Sequence, residues 1–305
     1  MKALAIDLGG TKLAVAVFSH DGHIVERAVY PLELRSGAAV GVMITAAVQQ
    51  MQPHGFDAIG VAVPGISRRQ TGTVWAPNIP GWDDYPLLAE LRAVAGDIPI
   101  HIEGDRSCYI MGEAWQGRAQ GCTNAIYLAV GTGIGAGILA DGRLLHGAAD
   151  ISGAIGWMAL QRPFHHEYVS CGCFESMASG EGIAKAARAL IAKDDGYKGM
   201  LQHGHLQAKD VFAAYATNDR VAVAVIHQSI ELWGMAAANL VSLFNPEKII
   251  FGGGVFGPAA QFIPAITAEA ARWAQPVSMG QVKIEAAALQ SDAGLYGAAY
   301  LAFHA

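Results

Sequence analysis

Two glycine-rich turns hold the residues whose types and spacing could do chemistry. In the first, "DLGGTK", Asp7 ends an apolar run and is followed by Gly9, Gly10, Thr11 and Lys12. Glycines allow a backbone to approach phosphate oxygens, and the side chains of Thr11 and Lys12 can donate hydrogen bonds to them. Asp7 can hold a hydrated Mg²⁺ that neutralises phosphate charge. A tight hairpin that binds nothing would use the same two glycines, so this turn alone leaves both interpretations open.

The second turn, "GTGIGAG", has the same surroundings as the first. It contains Gly131, Thr132, Gly133 and Gly135, and it also follows an apolar run. Its likeness to the dinucleotide motif G-x-G-x-x-G is loose, because a strand pattern follows and no acidic residue stands at the ribose-reading distance. Two phosphate hairpins facing each other would straddle one polyphosphate. The pair therefore predicts nucleotide binding.

A third glycine run, "FGGGV", follows another buried apolar run. Its residues Gly253 and Gly254 would allow a flat ring to lie against the backbone, which suits adenine. A crowded turn from a strand to a helix is the alternative. The two hairpins are what favour the nucleotide interpretation.

Asp105 is the candidate general base. It lies just past the end of the predicted strand "IPIHI", and ligand crevices in open α/β sheets lie at such strand ends. A carboxylate there could accept the proton of a hydroxyl group that attacks a γ-phosphate. The alternative is an N-cap for a helix predicted from about Ser107, and the two roles are compatible.

The turns and carboxylates must be positioned by a fold, and the sequence predicts a fold of the α/β class. It has 305 residues, of which 52% are apolar and 15% are charged, so we expect a folded chain of two domains. Each phosphate turn opens a three-stranded meander, and the two copies lie roughly 120 residues apart. The second meander is predicted to end with a strand over 143–147. Between the copies, Ser36 is predicted to cap a helix over Ala38–Gln52.

The domain boundaries follow from the same repeat. Residues 1–115 are predicted to form a small N-terminal α/β domain and residues 116–291 a larger one, with a cleft between them. A last helix, over about 292–305, is expected to pack back on the first domain.

Charge and hydropathy exclude several classes of partner. The formal net charge of −6 offers no cationic surface for nucleic acid. The longest uncharged stretch, "AIYLAVGTGIGAGILA", is shorter than a bilayer span, and no secretory signal opens the sequence. The four cysteines form no disulfide framework for a chain of this length. We therefore expect a cytoplasmic protein that binds small molecules and neither nucleic acid nor a membrane.

Seven motifs, in order, resemble those of the ROK family (repressors, open reading frames and kinases). They are "AIDLGGTK", "VPG", "APNIPGW", "GDRSCYIMGEAW", "VGTGIGAGI", "GCFESMASG" and "IIFGGGV", and they cover nearly the whole chain. The resemblance implies the actin-like ATPase (hexokinase/ROK) fold, with two α/β domains flanking a cleft. It also implies transfer of the γ-phosphoryl group of ATP to a sugar, with Mg²⁺ as cofactor. A homodimer is implied by the family and not by the sequence itself.

By this resemblance the candidate residues take named roles. Asp105 becomes the catalytic base, and Asp7 becomes a ligand of Mg²⁺ through water. The two phosphate elements are Gly9–Lys12 and Gly131–Gly135, and the adenosine contacts are Gly253 and Gly254. The sugar-binding positions are Gly65, Asn78, Asp105 and Glu175.

The sugar side of the family pattern is altered at three positions. Family kinases carry G-E-x-G-H, whereas this chain reads "GAIGW", with Ala154 and Trp157 in place of the Glu and the His. Gly104 stands where an Asn usually precedes the base. A site whose polar groups bind sugar hydroxyls rejects ligands that lack those hydroxyls. The three replacements remove such polar groups and the hydrogen bonds that they would make. Because Trp157 offers a flat apolar face, we expect a ketose, a modified sugar or a polyol, and not glucose bound in the usual way.

The segment "FHHEYVSCGCFE" raises the question of a structural zinc ion. In family kinases the His of G-E-x-G-H and three cysteines bind zinc, and a Trp, which cannot ligate it, replaces that His here. If "GCFE" matches the family's closing G-C-x-E, His166 and Tyr168 occupy the two earlier cysteine positions. Alternatively, Cys171 and Cys173 are the C-x-C pair and a segment is deleted. A rebuilt site of His165, His166, Cys171 and Cys173 is chemically allowed but crowded, so we expect no zinc.

Two other functions remain as alternatives. A sugar-responsive regulator would lack a DNA-binding domain here, because the first strand begins at once and no basic recognition helix is predicted. A catalytically weak sugar- or nucleotide-binding relative would keep both hairpins, while the changes at Gly104, Ala154 and Trp157 impair turnover. The two hairpins and Asp105 favour the kinase.

Overall fold

The computed structural model describes residues 1–202 and 204–304, and the chain divides into two compact units. Unit 1 consists of Met1–Gly121, Leu144–Ser152 and the C-terminal segment that begins at Ser291. Unit 2 consists of Cys122–Arg143 and Gly153–Gln290. Each unit is therefore assembled from segments that are distant in the sequence.

A five-stranded sheet forms the centre of unit 1. The strands of unit 1 are β1 (Lys2–Leu8), β2 (Lys12–Ser19), β3 (Ile24–Pro31), β4 (Ala58–Val63), a short ribbon of β5 (Ile66–Arg68) and β6 (Thr73–Trp75), and β7 (Ile100–Gly104). The sheet order is β3-β2-β1-β4-β7, in which β4 lies parallel to both β1 and β7. Because these three strands run in one direction, Asp7 near the end of β1 and Asp105 directly after β7 lie at the same edge of the sheet.

Four helices pack on the sheet of unit 1. They are α1 (Ala38–Met51), α2 (Leu87–Ala95), α3 (Asp105–Gln116) and α10 (Ala293–His304). Alternate residues of β1 face opposite layers, so Leu4 and Ile6 pack in a core with α1 and α2, whereas Ala5 packs with α10. The small residues of the α10 layer allow close contact. A methyl group added to Gly60 would lie 1.8 Å from the carbonyl oxygen of Ala298.

The sheet of unit 2 has a matching order of strands. Its strands are β8 (Ala125–Val130), β9 (Ile134–Ala140), β10 (Arg143–Leu144), β11 (Lys248–Gly252) and β12 (Lys283–Ala286), in the order β10-β9-β8-β11-β12. β8 pairs antiparallel with β9 and parallel with β11, as β1 does with β2 and β4. Each glycine turn predicted to bind phosphate therefore joins the first two strands of its own sheet.

The helices of unit 2 pack around one long central helix. They are α4 (Cys173–Ala178), α5 (Gly180–Ile191), α6 (Ala208–Ala216), α7 (Arg220–Phe244), α8 (Ile263–Trp273) and α9 (Pro276–Met279). α7 is long and apolar enough to cross a membrane by length and composition, but 61% of its apolar window is buried. Its Trp233 is fully buried and donates a hydrogen bond to the carbonyl of Ala178 (3.1 Å). α7 is therefore the core helix of unit 2.

One predicted helix cap and one predicted helix start are wrong, whereas α1 begins at Ala38 as predicted. Gly37, and not Ser36, occupies the N-cap position of α1, because the backbone turns there with φ of 52°, which favours glycine. α3 begins at Asp105 and not near Ser107, because extended backbone continues through Gly104 and the helix follows at once. Gly104 is thus the N-cap residue, and the alternative N-cap role of Asp105 is also wrong.

The strand predicted over 143–147 is wrong beyond its first two residues. β10 ends at Leu144, and the following residues form a loop of unit 1. A backbone hydrogen bond from the N–H of Ser152 to the carbonyl of His146 (3.0 Å) closes this loop. Residues 145–152 are called the closed loop below.

Candidate active site

The first glycine turn joins β1 to β2 in unit 1. The N–H of Gly9 donates to the carbonyl of Lys12 (2.9 Å), and the carbonyl of Thr11 accepts from the N–H of Leu32 (2.9 Å). A side chain at Gly10 would meet no protein atom within 4 Å, and both Thr11 and Lys12 are exposed. Backbone hydrogen bonds therefore fix the conformation of the turn, and its outer side is exposed to solvent. A phosphate-binding turn requires both.

Asp7 lies beside this turn, against the first turn of α10. A methyl group added to Gly294 would lie 2.5 Å from the carboxylate carbon of Asp7. Burial, and then the charge of Asp105, raise the pKa of Asp7 to about 7, and the nearby Lys12 opposes them. A carboxylate that has lost this much hydration is stabilised in its charged form by a cation.

Asp105, the first residue of α3, has both carboxylate oxygens oriented by neighbours. Oδ1 accepts a hydrogen bond from the N–H of Arg106 (2.8 Å), and Oδ2 accepts one from the hydroxyl of Tyr109 (3.2 Å). The guanidinium Nε of Arg106 lies 3.9 Å from Oδ1. Burial raises the pKa of Asp105 and the charge of Arg106 opposes this rise. Asp105 is therefore a stronger base than an exposed aspartate.

Two predicted sugar positions meet beside Asp105. A methyl group added to Gly104 would lie 3.2 Å from the carbonyl oxygen of Gly65. Both glycines line a narrow polar pocket. Arg106 and His146 line it too, and neither was predicted from the sequence as a site residue. No motif marks His146, because the closed loop returns to unit 1 from a distant part of the chain. Asn78, the other sugar position predicted in this unit, lies on the exposed turn between β6 and α2.

The second glycine turn joins β8 to β9 in unit 2. Within it, the N–H of Gly131 donates to the carbonyl of Gly133 (2.9 Å). The carbonyl of Gly131 accepts from the N–H of Gly180, at the start of α5 (2.7 Å). Gly131, Thr132 and Gly254 line one cavity of about 400 Å³. Cavities of this size hold small-molecule ligands and cofactors, so two of the predicted ATP elements share a ligand-sized cavity.

Several side chains of this cavity, three of them at α6, were not identified from the sequence. Gln207, Lys209 and Phe212 line it from the beginning of α6. Gln207 and Asp210 form a reciprocal capping box, in which the N–H of Gln207 donates to the Asp210 carboxylate (2.8 Å). That pattern could have located the start of α6, but not its position beside the β8–β9 turn.

Gly253 and Gly254 are both predicted to contact adenosine, but only Gly254 has room for a side chain in the folded protein. Alanine variants at the two positions therefore separate an effect on ATP binding from an effect on folding. A methyl group added to Gly254 would meet no protein atom within 4 Å. We expect Gly254→Ala to fold like the parent and to raise the KM for ATP about tenfold or more, because one methyl group in a fitted site costs that much. Steady-state kinetics and the thermal unfolding midpoint test this.

Gly253→Ala is the contrasting variant. Gly253 has φ of 88°, and its added methyl group would lie 2.5 Å from the carbonyl oxygen of Val130. We therefore expect Gly253→Ala to lower the unfolding midpoint by several degrees, irrespective of nucleotide. An unchanged KM for ATP in a folded Gly254→Ala protein would mean that adenosine binds elsewhere.

Glu175, on α4, supports the second glycine turn. One of its oxygens, Oε2, accepts a hydrogen bond from the N–H of Ile134 (2.6 Å). Methyl groups added to Gly133 or Gly156 would lie within 3 Å of the Glu175 side chain. Trp157 follows Gly156 directly and is 56% exposed. The structure therefore brings Glu175 and Trp157, the two sugar positions predicted in unit 2, into one neighbourhood.

The residues proposed for a rebuilt zinc site do not form a cluster. In the described part of the chain, no group of three or more His, Cys, Asp or Glu side chains is arranged to hold a metal ion. His165 and His166 are exposed, Cys171 is partly buried and Cys173 is buried at the start of α4. Cys173 instead lines an apolar cavity of about 840 Å³ together with Trp157. This arrangement does not support a rebuilt zinc site.

Asp7 fits a Mg²⁺ ion that is bound through water and substrate phosphate. Mg²⁺ in nucleotide sites usually takes one or two carboxylates and completes its shell with waters and phosphate oxygens. Asp7 supplies such a carboxylate beside the first glycine turn, and burial and the charge of Asp105 make it a favourable neighbour for a cation. No larger set of protein ligands is needed for this mode of binding.

Fold and site together define an α/β protein with two sheets of matching strand order, each with a glycine turn suited to phosphate. The model of the ROK family matches residues 3–305. The chain therefore belongs to the ROK family.

Individual relatives match over almost the full length. A glucokinase from Halalkalibacterium halodurans is 31% identical over 98% of this chain and 94% of its own. An N-acetylmannosamine kinase from Escherichia fergusonii is 31% identical over 99% of this chain and 98% of its own. The structure of a ROK family glucokinase from Streptomyces griseus in complex with glucose and AMPPNP is 27% identical, covers 100% of both chains and has a TM-score of 0.81. The actin-like fold expected of a ROK hexokinase is thereby confirmed.

Proposed function

We propose that this protein transfers the γ-phosphoryl group of ATP to a hydroxyl group of a sugar, with Asp105 as the general base. The broader class follows from the kinases that match its full length: the protein is a sugar kinase of the ROK family. One observation carries the proposed mechanism. Asp105 and Asp7 lie at the same edge of one sheet, close enough for the charge of Asp105 to raise the pKa of Asp7.

In this mechanism Asp105 accepts the proton of the acceptor hydroxyl group as its oxygen attacks the γ-phosphorus. The new O–P bond forms while the bond between the γ-phosphorus and the bridging oxygen breaks, which releases ADP. The N–H of Arg106 and the hydroxyl of Tyr109 hold the carboxylate in place (2.8 and 3.2 Å). Because burial raises its pKa, Asp105 accepts the proton more readily than an exposed aspartate would.

Each glycine turn is proposed to bind part of the nucleotide within its own unit. In unit 1, the backbone of the first turn and the ammonium group of Lys12 would donate to phosphate oxygens, and Asp7 would hold Mg²⁺ through water. When bound, Mg²⁺ supplies positive charge that offsets the charge on the phosphates. In unit 2, Gly131 and Thr132 line the cavity in which we place the rest of the nucleotide.

Use of ATP and four free cysteines support a cytoplasmic location.

The acceptor is proposed to differ from glucose bound in the usual way. The relatives are named for glucose and N-acetylmannosamine. By its resemblance to the family motifs, this chain carries Gly104, Ala154 and Trp157 at three positions where polar residues are expected. Trp157 is largely exposed near Glu175, so its ring face is available for stacking on a sugar ring or on a substituent.

A screen of acceptors tests both parts of this proposal. ADP release would be measured with ATP and glucose, fructose, N-acetylmannosamine, N-acetylglucosamine or sorbitol. We expect at least one acceptor to exceed glucose in kcat/KM by about tenfold or more, because the altered contacts remove the grip on glucose hydroxyls. Asp105→Asn protein, prepared in parallel, provides the background rate.

The two parts can fail separately. If glucose is the best acceptor, the altered pocket does not change the substrate. If no sugar stimulates ADP release above the Asp105→Asn background, the proposed phosphoryl transfer is wrong.

A further inference from the structure

A narrow polar pocket lies beside Asp105 in unit 1, where the closed loop meets the ends of β4 and β7. Gly65 and Gly104 form its backbone walls, and Arg106, His146 and Asp150 contribute polar side chains. Its volume of about 10 Å³ is about that of one water-sized probe. The pocket can therefore take a single small polar group, such as one hydroxyl of a larger molecule.

His146 is held in this pocket by Glu103. Its Nε2 lies 2.8 Å from Oε2 of Glu103, and the other oxygen, Oε1, accepts a hydrogen bond from the N–H of Gly104 (2.9 Å). Both side chains are largely buried, with 20% and 12% exposure. The imidazole orientation is thus coupled, through Glu103, to the backbone immediately before Asp105. A ring held this way is pre-oriented for a ligand.

Each carboxylate around the pocket lies next to a basic side chain. Arg69 is paired with Asp150 (3.0 Å), and the guanidinium of Arg106 lies 3.9 Å from the carboxylate of Asp105. Both pairs place a guanidinium group next to a carboxylate, and His146 places an imidazole next to the carboxylate of Glu103. A balanced set of donors and acceptors favours a neutral group that both donates and accepts, and a hydroxyl does so. A phosphate or carboxylate would face acidic side chains on the same wall.

We propose that this pocket binds one hydroxyl group of the acceptor sugar, and that His146 is the residue that selects it. The inference rests on the proposed function, because the hydroxyl must lie close to the one that Asp105 deprotonates. It assigns the recognition of one acceptor hydroxyl group to the closed loop, which adds a polar side chain beside Gly104, one of the altered positions.

The test compares an acceptor with its monodeoxy analogues. The probe is whichever of glucose, fructose and N-acetylmannosamine is phosphorylated fastest. For the parent protein, we expect one analogue to lose kcat/KM by about a hundredfold or more, because a site that binds a hydroxyl rejects a ligand without it. In His146→Ala, kcat/KM for the full sugar should fall about tenfold or more, and the discrimination against that analogue should largely disappear. The KM for ATP should not change.

Two further variants separate recognition from folding. His146→Gln keeps a donor for Glu103 and should fall between the parent and His146→Ala. His101→Ala is the matched control, because His101 is a partly buried histidine on β7 that does not line this pocket. It should leave the discrimination unchanged.

The outcomes are distinct. If the sugar is phosphorylated but both His146 variants discriminate as the parent does, the inference about His146 is wrong and the proposed function stands. If no sugar is phosphorylated, the proposed function fails and this inference fails with it.

Discussion

Asp105→Ala is expected to lower kcat for phosphoryl transfer by about a thousandfold while ATP binding stays within about twofold, since a general base contributes an effect of this size. The carboxylate is proposed to act on the acceptor hydroxyl, whereas the cavity lined by Gly131, Thr132 and Gly254 belongs to the other unit. Coupled measurement of ADP release, with calorimetric titration of an unhydrolysable ATP analogue, separates the two quantities.

Asp105→Asn is the sharper version of this experiment. Its amide oxygen can still accept from the N–H of Arg106, which now donates to the carboxylate (2.8 Å), so the local fold should persist. The amide cannot accept a proton, so kcat should stay as low as in the alanine variant. Asparagine-substituted protein with near-parent activity would remove Asp105 from its assigned role.

The pH dependence of the parent protein gives a combined check on Asp105 and Asp7, because both carboxylates must be ionised and both have a raised pKa. A base acts when it is deprotonated, so kcat/KM should rise with pH through the pKa of Asp105. Because burial raises that pKa, the acid limb should lie above the ordinary value of 3.8.

Asp7→Asn is expected to lower activity and raise stability at the same time. Loss of the carboxylate that would hold Mg²⁺ through water should reduce kcat by about a hundredfold or more. In the free protein, however, burial and Asp105 raise the pKa of Asp7 from 3.8 to about 7. Ionising Asp7 therefore costs folding free energy, and above neutral pH the asparagine variant should be more stable by roughly 1 to 4 kcal/mol.

The direction of the pH dependence follows from the sign of this shift. Folded Asp7 holds its proton up to about pH 7, whereas the unfolded chain releases it near 3.8, so this group lowers stability as pH rises through that window. The gap in unfolding midpoint between Asp7→Asn and the parent should therefore be widest above neutral pH and close towards pH 4, about the unfolded value. Mg²⁺ and nucleotide are left out of the stability measurement.

Asp97→Asn is the matched control for Asp7→Asn. Asp97 is an exposed aspartate of the same unit, outside the candidate site. This variant should leave both kcat and the unfolding midpoint unchanged. If the difference in unfolding midpoint between Asp7→Asn and the parent does not vary with pH, the raised pKa of Asp7 is not its cause.

The two three-stranded meanders of the fold could be predicted from the sequence. Each meander is a local pattern of apolar runs separated by glycine or Asp-Gly turns, and the strands of unit 1 and unit 2 follow it closely. The start of α1 at Ala38 was predicted correctly, but its N-cap residue was not, because the backbone turn at Gly37 is stabilised by a hydrogen bond to the distant carbonyl of Pro80 (2.8 Å). A cap-residue rule uses only neighbours in the chain and cannot detect such a contact.

The separate roles of the glycines could not be predicted in the same way. The sequence treats Gly253 and Gly254 alike, yet a side chain at Gly253 would collide with Val130 and one at Gly254 would enter open space. Similarly, Gly294 gave no signal, although it packs directly on the carboxylate of Asp7 from the last helix. These differences arise from strands and helices that meet across the fold.

The sequence by itself determined the two glycine turns, the strand ends that carry Asp7 and Asp105, and the family, because these depend on residues that are adjacent in the chain. Only the tertiary structure decided that His146 reaches Glu103 beside Asp105, and that α6 lines the cavity at the second turn. The physical reason is the same in both cases. Segments far apart in the chain come into contact only when strand pairing and helix packing have placed them, and no local pattern records that placement.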